Sequence, residues 1–403
     1  MQFLHRFRIA LALTALMLAA QFMFWLPALT ELGDASAAPP QLSIPILYLL
    51  FAPLSNLLDF LTFLTVGRAA ALIIGLAAGY AAWRYLRGRG RPVRVAEEVK
   101  LGLKRALSLV VLAVAAAFLP RPVPRLDVPE QLLVVDYHTH TSASHDGYWS
   151  VAAADRWHRR QGFDAWFVTE HNRASPEATA PRQTAPLPGI EVSVYRLHVI
   201  GLGGGDSINR TPFVRDARSA LGVFPALHAQ NRVTILSLPE YWRNYWETLD
   251  ALVTAGADGL EIVNCAPKAL NFSNVWRESA VETALWHRLL VVGASDYHGL
   301  GQVTCVWNLV EVSRDSLLPM LRRRPNGLST NRVVARTLAV TEYPTWLTAI
   351  AGPWTIWRTA SLPEAAVWLL WIWVIAARQP YRPPPPKPMG PRTIRPGGAV
   401  PRR

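Results

Sequence analysis

The stretch Leu132-Leu133-Val134-Val135-Asp136-Tyr137-His138-Thr139-His140 decides how this chain is read. Its apolar, β-branched start predicts a buried strand. Alternation along an extended chain then turns His138 and His140 to the same face, where both imidazoles reach one cation. A lone His-x-His is more often chance or a hydrogen-bonded core pair, so the weight rests on recurrence. The pattern recurs. Thr169-Glu170-His171-Asn172-Arg173 closes the run 166–169, Gly189-Ile190-Glu191 follows, and His198 opens the run 198–201. Gly293-Ala294-Ser295-Asp296-Tyr297-His298-Gly299 ends the run 290–293, again with two ligand types two residues apart. His145-Asp146-Gly147 adds a nitrogen and a carboxylate in a turn after the first pair. Separated segments that each bring His, Asp or Glu to a strand end predict a cluster of metal ligands.

Working outward, apolar runs recur at 132–136, 166–169, 198–201, 233–236, 260–263, 290–293 and 305–312. Helical segments lie between most of them, such as 150–161, with Ser150 as N-cap, and 278–287. Strands alternating with helices predict an α/β fold on a parallel sheet or barrel, with its site at the strand C-termini. Gly203-Gly204-Gly205 lacks the Lys-Ser/Thr of a phosphate-binding loop and reads as a flexible turn. Cys265 and Cys305 are the only cysteines, which excludes a disulfide-rich scaffold. Two buried thiols are the default expectation for them.

Asp-x-His-x-His, Glu-His-Asn, Gly-Ile-Glu, His-Val-Ile-Gly and Ser-Asp-x-His follow one another within 132–312. In that order and context they resemble the PHP (polymerase and histidinol phosphatase) superfamily. The resemblance implies a distorted (β/α)7 barrel, two or three divalent metal ions (manganese, zinc or iron) and hydrolysis of phosphoesters. It implies that His138 and His140 share one ion with Glu191 and Asp296, and that Glu191 bridges to a second ion with His198. His171 and His298 then match a third site, with His145 or Asp146. Glu191, Asp296 and His298 are the implied catalytic residues, Asp296 or His298 being able to take a proton. Asp136 and Glu170 are expected to orient ligands from behind. Asn172 and Arg173 are expected to face substrate, Arg173 as a charged fork on a phosphate oxygen.

Two departures qualify the match. Ser144-His145-Asp146-Gly147 carries one residue more than the family's usual Ser-Asp-Gly, which leaves His145 and Asp146 both open. Leu238, in Ile235-Leu236-Ser237-Leu238-Pro239-Glu240, stands where the family usually has a histidine before proline. Leucine binds no metal. Glu240 is a nearby substitute, although a surface acid is the commoner role for such a residue.

The rest of the chain is of another kind. Its 403 residues are 51% hydrophobic and 17% charged, against about a quarter charged in a water-soluble domain. Such hydrophobicity excludes a disordered chain. Residues 9–30 carry no charge and are long enough to cross a hydrocarbon core. The apolar region 42–83, interrupted by Asp59 and Arg68, reads as two spans meeting near Gly67-Arg68 or as one span preceded by a re-entrant piece. Segment 106–120 is short, but Lys100, Lys104 and Arg105 can snorkel and extend it backwards. Segment 343–357, broken by Gly352-Pro353, reads as interfacial, and 365–377, with its tryptophans, as a short span. Arg6, Arg8 and Ala35-Ser36-Ala37 resemble parts of a cleaved signal peptide. The length of the apolar run and the segments after it favour an uncleaved span. The expected organisation is three or four spans in 1–125, the metal domain in 126–341, an interfacial segment and span in 342–380, and a disordered basic tail in 381–403.

The net charge of +13 comes largely from two clusters, eight basic residues within 84–105 and seven within 378–403. Both flank apolar segments, where positive-inside bias and anionic headgroups account for them. Nucleic acid is thereby disfavoured as a partner. Placing both clusters in the cytoplasm puts the central domain outside it. The expected protein is a multi-pass, membrane-anchored, metal-dependent phosphoesterase. Its expected partners are the lipid bilayer and a phosphorylated small molecule, nucleotide or envelope component. Two rivals stand beside it. Leu238 prompts a degenerate domain that binds metal or ligand without turnover. The apolar segments admit an accessory domain on a membrane scaffold or transporter, although they lack charge pairs beyond Asp59 and Arg68 and any repeated half.

Overall fold

Each of the seven predicted runs forms a strand in the computed structural model, which describes residues 2–32, 40–87, 95–117, 121–174, 186–299, 301, 303–323 and 331–378. The strands are β1 (Leu29–Leu32), β2 (Gln41–Ser43), β3 (Arg125–Asp127), β4 (Leu133–Asp136), β5 (Ala165–Val168) and β6 (Leu187–Val194). They continue as β7 (Leu197–Leu202), β8 (Val233–Ser237), β9 (Gly259–Asn264), β10 (Leu290–Ala294), β11 (Val306–Val310) and β12 (Arg332–Arg336). Ten of them form one sheet in the order β1-β12-β11-β4-β5-β6-β7-β8-β9-β10, and β2 pairs with β3 apart from it.

The sheet is mixed rather than parallel throughout. β4–β5–β6 and β8–β9–β10 are parallel, while β7 runs antiparallel to both β6 and β8. The cause is local: Val194 pairs with Leu197, so Tyr195-Arg196 makes a two-residue hairpin, with Arg196 left-handed at φ 52°. β11 and β12 then return as an antiparallel pair beside β4. β1, from within the N-terminal apolar segment, completes that edge by pairing with β12.

The sheet curls until β10 meets β4 and β11. A side-chain amide closes this seam: Asn308 donates to Val135 O (2.9 Å) and Gly293 O (2.7 Å) and accepts from Gly293 N (2.8 Å). Val135, Phe167, Ile200, Ile235 and Val292 pack into one apolar cluster, joined by Leu317 and Leu321 of the helix Arg314–Arg322. The helix Val151–Gln161 starts at Ser150, whose side chain accepts from Ala153 N at 3.4 Å, as the capping rule predicts.

Among the described residues, one helix, Val66–Tyr85, is long and apolar enough to cross a membrane; Phe7–Met23 is a shorter apolar helix. Before it, the region from residue 46 breaks into the short helices Ile46–Leu50 and Ala52–Thr62. The predicted break at Gly352-Pro353 is absent, because the helix Thr348–Thr359 runs through Pro353. Gly352 instead lets that helix press on the Phe60 ring, where a Cβ has no room. The tail 381–403 and Ala35-Ser36-Ala37 lie outside the described residues.

Asp59, read in the sequence as an interruption of an apolar run, is 1% exposed and faces protein. It pairs with Arg121 (2.7 Å) and with Arg336 at the end of β12, and accepts from Tyr48 (2.7 Å). The flanking helices are thus tied to the sheet by a buried charge. Arg68 stacks over the Tyr343 ring at 4.5 Å. Cys265 and Cys305 are bonded to each other, not separate thiols, with Cα atoms 5.6 Å apart. The curl is the reason: it carries the end of β9, where Cys265 N donates to Ala294 O (3.1 Å), against the residue preceding β11.

Candidate metal centre

The C-terminal ends of β4, β5, β9 and β10 and the facing residues of β6 and β7 converge on one cluster. Isolated bridges Thr139–Tyr297 and His171–Glu191 hold the segments past the strand ends in register. His138 Nδ1 lies 2.9 Å from Glu261 Oε2, a carboxylate that only accepts, so this nitrogen carries the proton. His140 Nδ1 lies 3.1 Å from Ser144 Oγ, and Ser144 donates its own hydrogen to Glu170 (2.5 Å). Both Nε2 lone pairs therefore turn inward, 3.0 Å apart. Two acceptors at that distance repel unless a proton or cation lies between them.

Other acceptors face the same point. Glu191 Oε2 lies 3.5 Å from His138 Nε2 and 3.2 Å from His140 Nε2, and Asp296 Oδ1 lies 3.4 Å from each. Among the described residues, the buried Asp296 Oδ1 and Asp146 Oδ1 find no hydrogen-bond partner, and Glu191 Oε2 and His171 Nδ1 face each other at 2.8 Å with no aligned hydrogen bond. Buried polar atoms are ordinarily partnered, so a cluster of orphans marks a place for an ion. Among the described residues, three overlapping groups bring their ligand atoms close enough together to hold an ion: His138, His140 and Glu191; His171, Glu191 and His198; and His140, Asp146, His171 and His298. Glu191 belongs to two of them, with Oε1 on His198 and Oε2 toward His138 and His140. These residues can bind divalent cations.

The electrostatics agree. Burial disfavours charge on His140, but Asp296 and Glu191 lift its pKa to about 9. His138 is likewise raised well above an ordinary imidazole, burial being outweighed by Asp296, Glu191 and Glu261. Burial would raise Glu191 and Asp296, yet the surrounding imidazoles hold both below the usual carboxylate range. Without a cation, protons on His138 and His140 would balance the facing carboxylates. Burial lowers His298, whose Nδ1 donates to Asp296 O at 2.8 Å and leaves Nε2 free to ligate.

No family model and no curated protein matches the chain. Among solved structures it is similar to an amidohydrolase from Chromobacterium violaceum with bound sulfate and no metal, at 14% identity and a TM-score of 0.34, over 47% of this chain and 96% of that one. It is also similar to PsfC from Pseudomonas syringae PB-5123, at 18% identity and a TM-score of 0.36, over 56% of this chain and 98% of that one. The chemistry of the site rests on this chain's own side chains.

Of the two residues left open after the first pair, Asp146 enters the cluster, 3.2 Å from His171 Nε2. His145 has a side chain 78% exposed. Asp136 and Glu170 sit behind the cluster. Asp136 accepts from Ser295 N (3.0 Å) and contacts His158 Nε2 (3.0 Å), and Glu170 holds Thr141 and Ser144. Asn172, expected to face substrate, has its amide engaged with Ser193 on β6 (2.9 and 3.4 Å). Arg173 is exposed. Leu238 is buried in the apolar core, and Glu240 pairs with Lys268 at 3.0 Å outside the three groups.

Three participants were missed. Glu261 orients His138; Asn264 bridges Glu261 (2.9 Å) and Asp296 (3.1 Å); and the Tyr241 ring lies 4.8 Å from that of His198. Burial and the nearby carboxylates Glu240, Glu191 and Asp296 push the Tyr241 hydroxyl up to about 12. The signal for Glu261 was available as an acid inside the otherwise apolar run Leu260-Glu261-Ile262-Val263. A buried acid needs a partner, and a histidine is the usual one near a metal.

Proposed function

We propose that this chain is a membrane-anchored, metal-dependent phosphoesterase with a PHP-type distorted (β/α)7 barrel. The observation that carries the reading is the inward pair of Nε2 atoms on His138 and His140, faced at 3.2–3.5 Å by Glu191 Oε2 and Asp296 Oδ1. The three ligand groups would hold two or three ions, with manganese, zinc and iron all compatible with nitrogen and carboxylate donors. A divalent cation there supplies Lewis acidity, acidifying water and neutralising charge on a phosphoryl group. The protein's own residues do the rest. Glu261 and the Ser144–Glu170 pair fix the His138 and His140 tautomers. Asn264 holds Asp296 Oδ2, keeping Oδ1 inward. His298 Nε2, partly exposed at the rim, would take or return a proton where it holds no ion, and Arg173 at the surface binds a phosphate oxygen. The substrate class is a phosphorylated small molecule, nucleotide or envelope component.

The membrane reading is supported by the helix Val66–Tyr85 and by the apolar helices packed around it. Placement of the barrel outside the cytoplasm is supported by the Cys265–Cys305 bond, since disulfides persist in oxidising compartments. One observation favours a second reading, a barrel that binds metal without turnover: buried Leu238 removes a ligand that the PHP pattern ordinarily supplies. The test is turnover of p-nitrophenyl phosphate and its bis ester by the full chain loaded with manganese, zinc or iron. Turnover lost in His138→Ala and Asp296→Ala is expected. Stoichiometric metal binding without turnover on either ester, with all three metals, refutes the phosphoesterase and leaves the second reading.

A further inference from the structure

A cavity of about 350 Å³ lies beside the start of the helix Ile46–Leu50, lined by Pro45, Arg121, Pro122, Val123, Arg125 and Arg160. Three of these residues are arginines and none is an acid. Arg121 gives one nitrogen to Asp59 (2.7 Å), but Asp59 is shared with Arg336, so one carboxylate faces two guanidinium groups. Nε and Nη1 of Arg121 are buried with no hydrogen-bond partner among the described residues, on a side chain only 12% exposed. Arg125 donates Nε to Arg160 O (2.9 Å), which fixes these two residues side by side. At the Arg121 wall of the cavity, one carboxylate thus serves two guanidinium groups. A planar guanidinium fork suits the oxygens of a phosphate.

A second observation decides which phosphate. Pro45 both lines the cavity and caps the helix Ile46–Leu50. From there Ile46, Leu47, Leu50, Phe51 and Leu54 are exposed, each at about half of its surface or more. Their spacing puts them on one face of successive helical turns, while Tyr48, Ala52, Asn56 and Asp59 on the other side are buried. The apolar face is further extended by Trp371, whose indole donates to Leu50 O at 3.0 Å. A contiguous apolar surface opening from an arginine cavity matches a molecule with an anionic head and hydrocarbon chains.

We propose that the Arg121–Arg125–Arg160 cavity binds the phosphate of a membrane lipid whose acyl chains lie along the Ile46–Leu54 face. None of these residues belongs to the metal centre, so the proposal stands apart from the phosphoesterase reading. Free phosphate shares the head chemistry but leaves the apolar face uncovered.

The test uses the full chain in a neutral detergent, titrated separately with phosphatidylglycerol and inorganic phosphate and followed by native mass spectrometry and thermal unfolding. Saturable phosphatidylglycerol binding is expected, much tighter than that of inorganic phosphate. The Arg125→Gln/Arg160→Gln double variant, which spares the Arg121–Asp59 pair, is expected to bind it at least about ten-fold more weakly. Its unfolding without lipid and its metal content should match the wild type. Arg125→Lys/Arg160→Lys keeps the charge and should recover part of the affinity. Equal affinity for inorganic phosphate overturns the lipid assignment, and lipid binding unchanged in the glutamine variant overturns the site. A glutamine variant that unfolds early is replaced as the deciding measurement by Leu50→Gln/Leu54→Gln. This second variant should weaken the lipid and leave inorganic phosphate binding as it was, and an unchanged lipid affinity overturns the proposal.

Discussion

Replacing Glu261 by glutamine changes one atom in size and almost nothing in shape, yet it should disable His138 as a metal ligand. Glu261 Oε1 accepts from Ser237 Oγ (2.8 Å) and Asn264 Nδ2 (2.9 Å), and Oε2 faces His138 Nδ1 (2.9 Å). All three partners point donors at the carboxylate. A glutamine has one oxygen and one NH2, so one orientation sets its NH2 against the His138 Nδ1–H. The other sets it against the Asn264 NH2, while the Ser237 hydroxyl can turn to accept. If His138 escapes by moving its proton to Nε2, it loses the lone pair that a cation needs. A buried donor left unsatisfied costs about 1–3 kcal/mol. Loss of a partner behind a metal ligand typically costs about 10–100-fold in affinity, which is the same range. The assay is competition of the full chain with a chromophoric zinc chelator at neutral pH, beside thermal unfolding of the ion-free protein. Glu261→Gln should weaken binding by about one to two orders of magnitude. An affinity within about two-fold of wild type, in a folded variant, would refute the assignment of Glu261 as the anchor of the His138 tautomer.

Other perturbations test other parts of the structure. Cation binding should release protons, because His138 and His140 are both raised in the ion-free protein, the latter to about 9. Affinity should therefore climb as pH rises through about 9, where His140 gives up its proton, and calorimetry in two buffers of unlike ionisation heat reads the release directly. For the ion-free fold the sign is opposite: the stability from His140 is complete below about 6.5 and is lost as pH rises through about 9. Cys265→Ser/Cys305→Ser opens a loop spanning 40 positions and should cost about 4 kcal/mol in denaturant unfolding; a loss below about 1 kcal/mol contradicts the chain-entropy account. Asp59→Asn strands Arg121 and Arg336 without a counter-charge, and should destabilise the full chain by about 3–5 kcal/mol. Unchanged thermal unfolding of that variant contradicts the buried tie between helices and sheet.

The seven predicted strands were legible because a strand announces itself locally, through a few consecutive β-branched residues. The hairpin that makes β7 antiparallel was not, because Tyr195-Arg196 carries neither Gly nor Asn to advertise its turn. β1 was hidden for a different reason. Leu29–Leu32 lies at the end of a longer apolar run, and composition alone assigned that run to a membrane.

Sequence by itself determined which residue types stand at the strand ends, since alternation fixes the side of His138 and His140 without any distant partner. It could not choose between His145 and Asp146, whose positions differ only in how the turn folds back on His171. Nor could it supply Glu261, 123 residues from the imidazole it holds, or the bond between Cys265 and Cys305. Those contacts exist because the sheet curls far enough for β10 to reach β4 and β11. That curl follows from the packing of the whole apolar interior, a property no local pattern contains. The same holds for Asp59, whose charge looked like a break in a span until β12 placed Arg336 against it.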